Sequence, residues 1–435
     1  MRFSTSPRFS ALLASSALML LFASSHAVAR ENVLLYDFTG TSDGSLPVGL
    51  VADAAGNLYG VATASGQYLY GTVYELSPPP QMGGHWKEQT LHTFGGDDGI
   101  NPNGALIFDP DGNLYGTTTL GGSLGGGTVF QLKRPPTKGG VWEEHILYNF
   151  PYLKSGDGSL PWGAVVFDQS GNLYGTTANG GNTACYPYGC GTVFQLKPPA
   201  GKGGAWTESL IYVFQGTNDG AFPMGNLVGD AQGNLYGTSS GEQYNECVGN
   251  NVCGSVFELT PPQNGGAWTE NTLTLYQSNV IPSPELTMDE FGNLYGTTEG
   301  DGWGTVFELS PPKKKAQSWT NVTLYSFKGL SDGAYPEGGV IFGADGNLYG
   351  TTANGGDLNC YPRVGCGTVF RLTKQGKIWV KTTLWKFTGR RAAHPTGDLI
   401  WGSNGLLYGT ARAGGAGSCD NDIARGCGGI RQFAP

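Results

Sequence analysis

The chain is poor in the residues that carry the commonest chemistries. Only five of its 435 residues are histidine, and one of them, His26, lies within the first 29 residues. The remaining four, His85, His92, His145 and His394, are not paired at metal-ligand spacing. Neither a histidine-based catalytic centre nor a zinc site is expected from them. No C-x-x-C redox spacing occurs, and no WD dipeptide. Past the first thirty residues no apolar run is long enough to cross a membrane. Basic residues are scarce: 25 Lys and Arg stand against 34 Asp and Glu. Such an acidic chain is not built to coat nucleic acid or anionic lipid. Its lone basic run, Lys313-Lys314-Lys315, falls between strands and reads as solvated surface.

The start of the chain has a different character. Arg2 and Arg8 precede the apolar stretch Ala11 to Ala23, and Ala27-Val28-Ala29 supplies small residues for cleavage. This predicts a secretory signal over 1–29, with residues 30–435 as one mature domain, secreted to an extracellular or periplasmic space. Removing it takes two arginines and no acid, so the mature chain has 23 basic and 34 acidic residues, net −11. No cysteine directly follows to carry a lipid.

Glycine is abundant at 73 residues, yet aromatics reach 12%. The aromatics supply the burial that disordered chains lack, so the composition points to short packed strands joined by tight turns. Self-similarity makes this concrete. GNLYG begins at 56, 112, 171, 233, 292 and 346, and GLLYG at 405. Each is followed by a word of the type GTVFQL, from GTVYEL at 71 to the degenerate GGIRQF at 428. An aromatic-ended run completes each unit, as in ILYNF at 146, and a P-x-G segment precedes each LYG word except in the fifth unit. Leu and Tyr of NLYG point to opposite faces, as do Val and Phe of TVF. Both faces are therefore apolar, which requires sheets covered on both sides, as in radially packed propeller blades.

We label the strands outward from the axis: A (P-x-G-x-L), B (NLYG), C (GTVF) and D (W-x-E-x-x-L-Y-x-F). The mature chain begins with a D-type run, Leu34 to Phe38, and ends with a C-type run. The prediction is an all-β, seven-bladed propeller of four-stranded antiparallel blades, its ring closed by the N-terminal strand completing the last blade. Closure also removes open sheet edges. The words D-x-x-G-N-L-Y-G-T-T and G-G-G-T-V-F-x-L resemble the Gloeo/Verruco repeat of the GloVer tandem-repeat, "choice-of-anchor" proteins. The resemblance covers the mature chain. It implies an exported repeat protein, often with a C-terminal sorting anchor, and implies no particular activity. The chain ends at IRQFAP without an apolar tail, so surface anchoring is not expected.

Asp53, Asp109, Asp168, Asp230 and Asp289 each precede the glycine of GNLYG by three residues and read as turn caps. A second set in the D–A loops, Asp43, Asp98, Asp157, Asp219 and Asp332, also reads as turn chemistry, with calcium the one cofactor left open. G-x-S-x-G occurs four times, always in glycine-rich loops rather than a strand–turn–helix, and carries no esterase reading. The eight cysteines form local pairs in four B–C loops: Cys185 with Cys190, Cys247 with Cys253, Cys360 with Cys366, and Cys419 with Cys427. In an exported chain these are expected to be disulfides. No catalytic residue and no metal ligand set is assigned.

Binding is expected where the repeat varies. The B–C loops carry aromatics, Trp303 among them. Around P-x-G the residues differ by blade: Trp162, Met224 and Glu337, then Asn226, Glu285 and Asp398 two positions on. Glu285, Glu337 and Asp398 come from adjacent blades and suggest a cation or acid–base site at the channel mouth. The expected function is a monomeric binding module for carbohydrate or protein, with a channel-mouth, metal-dependent hydrolase or lactonase as the alternative.

Overall fold

The computed structural model describes residues 32–435 except 82, 155, 186, 202, 244–245, 248–251, 264, 278–279, 301, 315–317, 361–363, 390–391, 416, 418 and 420–425, and not the side chains of 242–243, 246–247 and 252–253. The expected signal segment lies outside this set. So does the expected disulfide between Cys247 and Cys253: the backbone of Cys247 ends the strand Glu246–Cys247 and that of Cys253 lies in Val252–Thr260, but neither side chain is described.

Seven sheets of four or five strands follow in order along the chain, each antiparallel throughout. Blade 3 is representative: Val166–Phe167, Leu173–Thr177, Thr192–Lys197 and Thr207–Val213. In its B strand every residue is buried, whereas the D strand alternates exposed and half-buried at its start and is half-buried over its last four residues. The two-sided apolar pattern of NLYG and TVF is thus met by burial on both faces.

The core lies between blades. Seven apolar clusters form, one at each seam. An aromatic at the end of a D strand meets the C-strand aromatic of the next blade, as in Phe94–Phe130 at 5.3 Å and Phe150–Phe194 at 5.1 Å. The last glycine of NLYG makes room for that C-strand ring: a methyl group on Gly175 would stand 2.5 Å from Phe194 Cζ. The two repeated words are therefore two halves of one contact.

Closure uses the same parts. The first strand, Val33–Asp37, pairs with Gly429–Phe433, Val33 opposite Gln432 and Asp37 opposite Gly429. Phe38 donates its N–H to Gly428 O at 3.0 Å, as Phe94 does to Gly71 O at 3.1 Å inside blade 1. Phe38 meets Tyr74 of blade 1 at 5.1 Å. The glycine opening each C strand rests on the P-x-G proline of the next blade. A methyl group would lie 2.5 Å from Pro102 Cδ at Gly71, and 2.6 Å from Pro47 Cδ at Gly428, the closing seam. Gly428 also holds φ at 89°, a region that favours glycine.

The A strand is continuous in blade 1, over Ser45–Ala52, but departs from the expected run in blade 2. In blade 2 it pairs with its neighbour only over Ile100–Pro102 and Ile107–Phe108, leaving Asn103 to Leu106 unpaired. The P-x-G backbone there packs on the next blade instead: a methyl group on Gly104 would stand 2.5 Å from the carbonyl carbon of Gly163.

Candidate functional site

P-x-G segments meet one another around the axis. The contact at Gly104 recurs from Gly49 onto Ala105, from Gly163 onto Gly225 and from Gly338 onto Gly397. B-strand threonines tie these segments across seams: Thr117 and Thr176 donate their hydroxyls to Gly163 O and Gly225 O, both at 2.9 Å. Inside this ring lies a cavity of about 470 Å³. It is lined by the P-x-G residues and by B-strand ends at Ser240, Glu299 and Arg412. It therefore opens on the face from which the B–C loops emerge. Trp162, Met224, Asn226, Glu285, Glu337 and Asp398 all line it.

Two of these hold the ring as well as face the cavity. Asp398 accepts the N–H of Gly339 at 2.7 Å, and Asn226 accepts that of Ala164. Both stand two residues past the middle position of P-x-G, each bonding the previous blade. Trp162 presents an open indole, 42% exposed.

The wall is acidic on one side. Glu285, Glu299, Glu337 and Asp398 line the cavity, against a single lining cation among the described residues, Arg412. Glu285 and Asp398 flank Gly339: a methyl group there would be 2.9 Å from Glu285 Cβ and 3.3 Å from Asp398 Oδ1. Burial and the nearby Asp398 charge hold the Glu285 carboxyl well above the usual range. Its Oε2 is enclosed without a hydrogen-bond partner. Burial pushes Asp398 up to about 6, against the opposing bond from Gly339. Burial also raises Glu337, with Arg412 pulling the other way. The three carboxylates do not gather as one ligand set. Among the described residues, three metal-ligating atoms lie within 4.8 Å of one another only at His92, Asp98 and Glu144, on another part of the molecule.

Sequence reasoning missed Glu299 and Arg412. They occupy the position five residues after the Leu of LYG, at or just past the B-strand end, which is Thr119, Ala178, Ser240 and Ala353 in sister blades. Blade-to-blade variation inside a constant word was the signal.

Trp303 is not part of the cavity wall. Its indole lies over Gly329, 2.5 Å from where a methyl group would be, and meets Tyr335 at 5.9 Å. Sister blades put a disulfide at that place. Of the four expected disulfides three are described: Cys185–Cys190, Cys360–Cys366 and Cys419–Cys427 are bonded. The fourth, between Cys247 and Cys253 of blade 4, falls outside the described side chains and is not among them. The sulfurs of the three described bonds cover Gly216, Gly389 and Gly40, the counterparts of Gly329. They thus pin each B–C loop to the D–A loop of its own blade, and Trp303 does so by packing.

The aspartates also take structural places. Asp109 accepts the N–H groups of Asp111 and Asn113, the Asn113 amide, and the Tyr115 hydroxyl. Where Gly343 and Gly402 replace this Asp, Asp345 accepts from Tyr349 at 2.8 Å and Asn404 donates to Tyr408 at 2.7 Å. In the D–A loops Asp43 and Asp219 accept backbone N–H groups and a tyrosine hydroxyl.

Ring, disulfides and acid-walled cavity together define a closed seven-bladed propeller with a binding-sized axial opening. The chain belongs to the Gloeobacter/Verrucomicrobia repeat family, whose profile matches residues 25–249 and 244–421. A sequence search of curated proteins finds no match. Among solved structures it is similar to the extracellular domain of a putative one-component system of B. thetaiotaomicron, at 8% identity and TM-score 0.52. That match covers 93% of this chain, which spans only 40% of the other. It is also similar to an ulvan lyase of polysaccharide lyase family 25, at 11% identity and TM-score 0.50, covering 92% of this chain and 95% of that one. At these identities the likeness is one of fold. Among the described residues no helix is long and apolar enough to cross a membrane.

Proposed function

We propose that the protein is an exported, monomeric binding module, with residues 1–29 as its secretion signal and 30–435 as the mature domain. Its ligand seats at the axial cavity. Saccharide is the class the wall favours: the exposed Trp162 face stacks on a sugar ring, and the Glu337 and Asp398 carboxylates accept hydroxyl bonds. The observation that carries this reading is one open indole beside an acidic wall in a cavity of about 470 Å³, room for a chain end or a single residue of a polymer. Disulfides on the same face and the fold shared with an extracellular domain support export. The same reading takes Cys247 and Cys253 as a fourth staple on that face, in the B–C loop of blade 4.

The test is a glycan and polysaccharide panel titrated against the mature protein. Binding lost in Trp162→Ala and kept in Trp303→Ala supports the cavity. No binding, or equal loss in both variants, contradicts it. A second reading, acid–base cleavage of the bound saccharide, rests on the raised Glu285 and Asp398 carboxyls. It requires turnover that Glu285→Gln abolishes while binding remains.

A further inference from the structure

We propose that His92, Asp98 and Glu144 form a site for a zinc-class divalent cation that clips blade 1 to blade 2. His92 lies on the D strand Lys87–Thr93 of blade 1, Asp98 in the loop that follows, and Glu144 on the D strand Glu143–Pro151 of blade 2. His92 Nε2 stands 3.0 Å from Asp98 Oδ2 and 4.0 Å from Glu144 Oε1, and the three ligand atoms lie within 4.8 Å of one another. Ligands at about 2.0–2.1 Å from a tetrahedral ion are roughly 3.4 Å apart, so a shift of under ~1.5 Å closes the set. One imidazole nitrogen with two carboxylate oxygens suits zinc-like ions better than calcium, which takes oxygens alone. The side chains keep 15–25% exposure, which leaves water access to a fourth position.

The sister seams show what is special here. Tyr36, Tyr148, Tyr212 and Tyr325 stand where His92 does, each donating its hydroxyl to the loop aspartate. Glu88 and Glu270 stand where Glu144 does and accept Thr90 and Thr272 hydroxyls. Glu144 has Ile146 at that spacing, and its Oε1 is enclosed with no hydrogen-bond partner. The threonine donor is missing here and at Glu208, which has Leu210 at that spacing, but among the seams compared imidazole replaces phenol at this one alone. Gly95 N–H holds Asp98 Oδ1 at 2.7 Å, which leaves Oδ2 toward the cluster. Phe94 meets the His92 ring edge-on at 4.8 Å and sets its plane. Blades 1 and 2 contain no cysteine, so the clip falls where disulfide staples are lacking.

The repeat supplies its own control. His92→Tyr keeps a ring donor for Asp98, as in the sister blades, in place of the present His92–Asp98 hydrogen bond, and removes the nitrogen ligand. After chelator treatment, the mature protein is melted with Zn²⁺, Ca²⁺ or no metal, and Co²⁺ loading is followed in the visible spectrum. Zn²⁺ is expected to raise the wild-type midpoint by roughly 3 °C at 100-fold excess over Kd, saturating at one ion per chain. Calcium should give no such rise. His92→Tyr and Glu144→Gln should each abolish the rise and the Co²⁺ band while melting normally in chelator. An unshifted wild type overturns the proposal, as does a zinc response that survives in either variant. Glycan binding is read separately in the same samples, so the cavity and the clip stand or fall independently.

Discussion

Glu208 is the most direct probe of how tightly a seam is closed. It lies on the outer strand of blade 3, facing Asp157 in the loop that follows the outer strand of blade 2. Its Oε1 is enclosed and has no hydrogen-bond partner. Burial first, and Asp157 second, push its carboxyl from 4.5 up to about 7. The folded state therefore holds this proton more tightly than the unfolded chain does. The resulting stability is complete below pH ~4.5 and is lost as pH rises through ~7. A shift of that size corresponds to about 3 kcal/mol at most. The residue is only partly buried, so solvent screening reduces the expected effect to about 1–2 kcal/mol. In a chain of this length that is roughly 1–2 °C in Tm. Glu208→Gln keeps the shape and cannot ionise. Scanning calorimetry of both proteins from pH 4 to 8.5 isolates the residue, because every other titration is common to the two. The difference should be flat below pH ~4.5 and then move in favour of the variant by that amount up to pH 8. A difference that stays constant across the range refutes the buried-carboxylate account of the seam.

Phe38→Ala should destabilise the protein by about 3–5 kcal/mol, because Phe38 is fully buried at the closing seam; denaturant unfolding measures it, and a loss below ~1 kcal/mol would place closure elsewhere. Replacing Cys185 and Cys190 together by alanine should cost about 2 kcal/mol from the small loop they close, read as a lower Tm with unchanged far-UV circular dichroism. Asp398→Asn removes the charge beside Glu285, so the Glu285 titration followed by NMR should move toward the ordinary carboxylate range. An unmoved titration would show that the two groups do not interact.

The blades were legible because the two repeated words encode the two halves of one cross-strand contact within each blade. Gly175 and Phe194 recur together since the ring of one needs the missing side chain of the other. Closure was legible from the strand types at the two ends. The inner edge was only partly so. P-x-G was expected to be strand; in blade 1 it is, with only a register shift at Gly49, whereas in blade 2 Gly104 packs on the backbone of the next blade and the pairing is interrupted. Variation around P-x-G did lead to the cavity wall, including Trp162 and Glu285. It could not show that Asp398 bonds Gly339 while Glu337 stands apart, because that depends on the angle between blades. Trp303, expected as a binding aromatic, stays 41% exposed outside the cavity wall, and its place over Gly329, 26 residues further along the chain, could not be read from the sequence. The histidine cluster was hidden for a related reason: His92 and Glu144 lie 52 residues apart and meet only because their blades are adjacent.

The closed ring depends on the N-terminal strand acting as the outer strand of blade 7. Amide hydrogen exchange measures this directly. The amides of Val33–Asp37 that pair with Gly429–Phe433 should exchange as slowly as the paired amides of Thr207–Val213, the interior outer strand of blade 3. Fast exchange over Val33–Asp37 with full protection of Thr207–Val213 would mean that the ring is open, and would contradict the account.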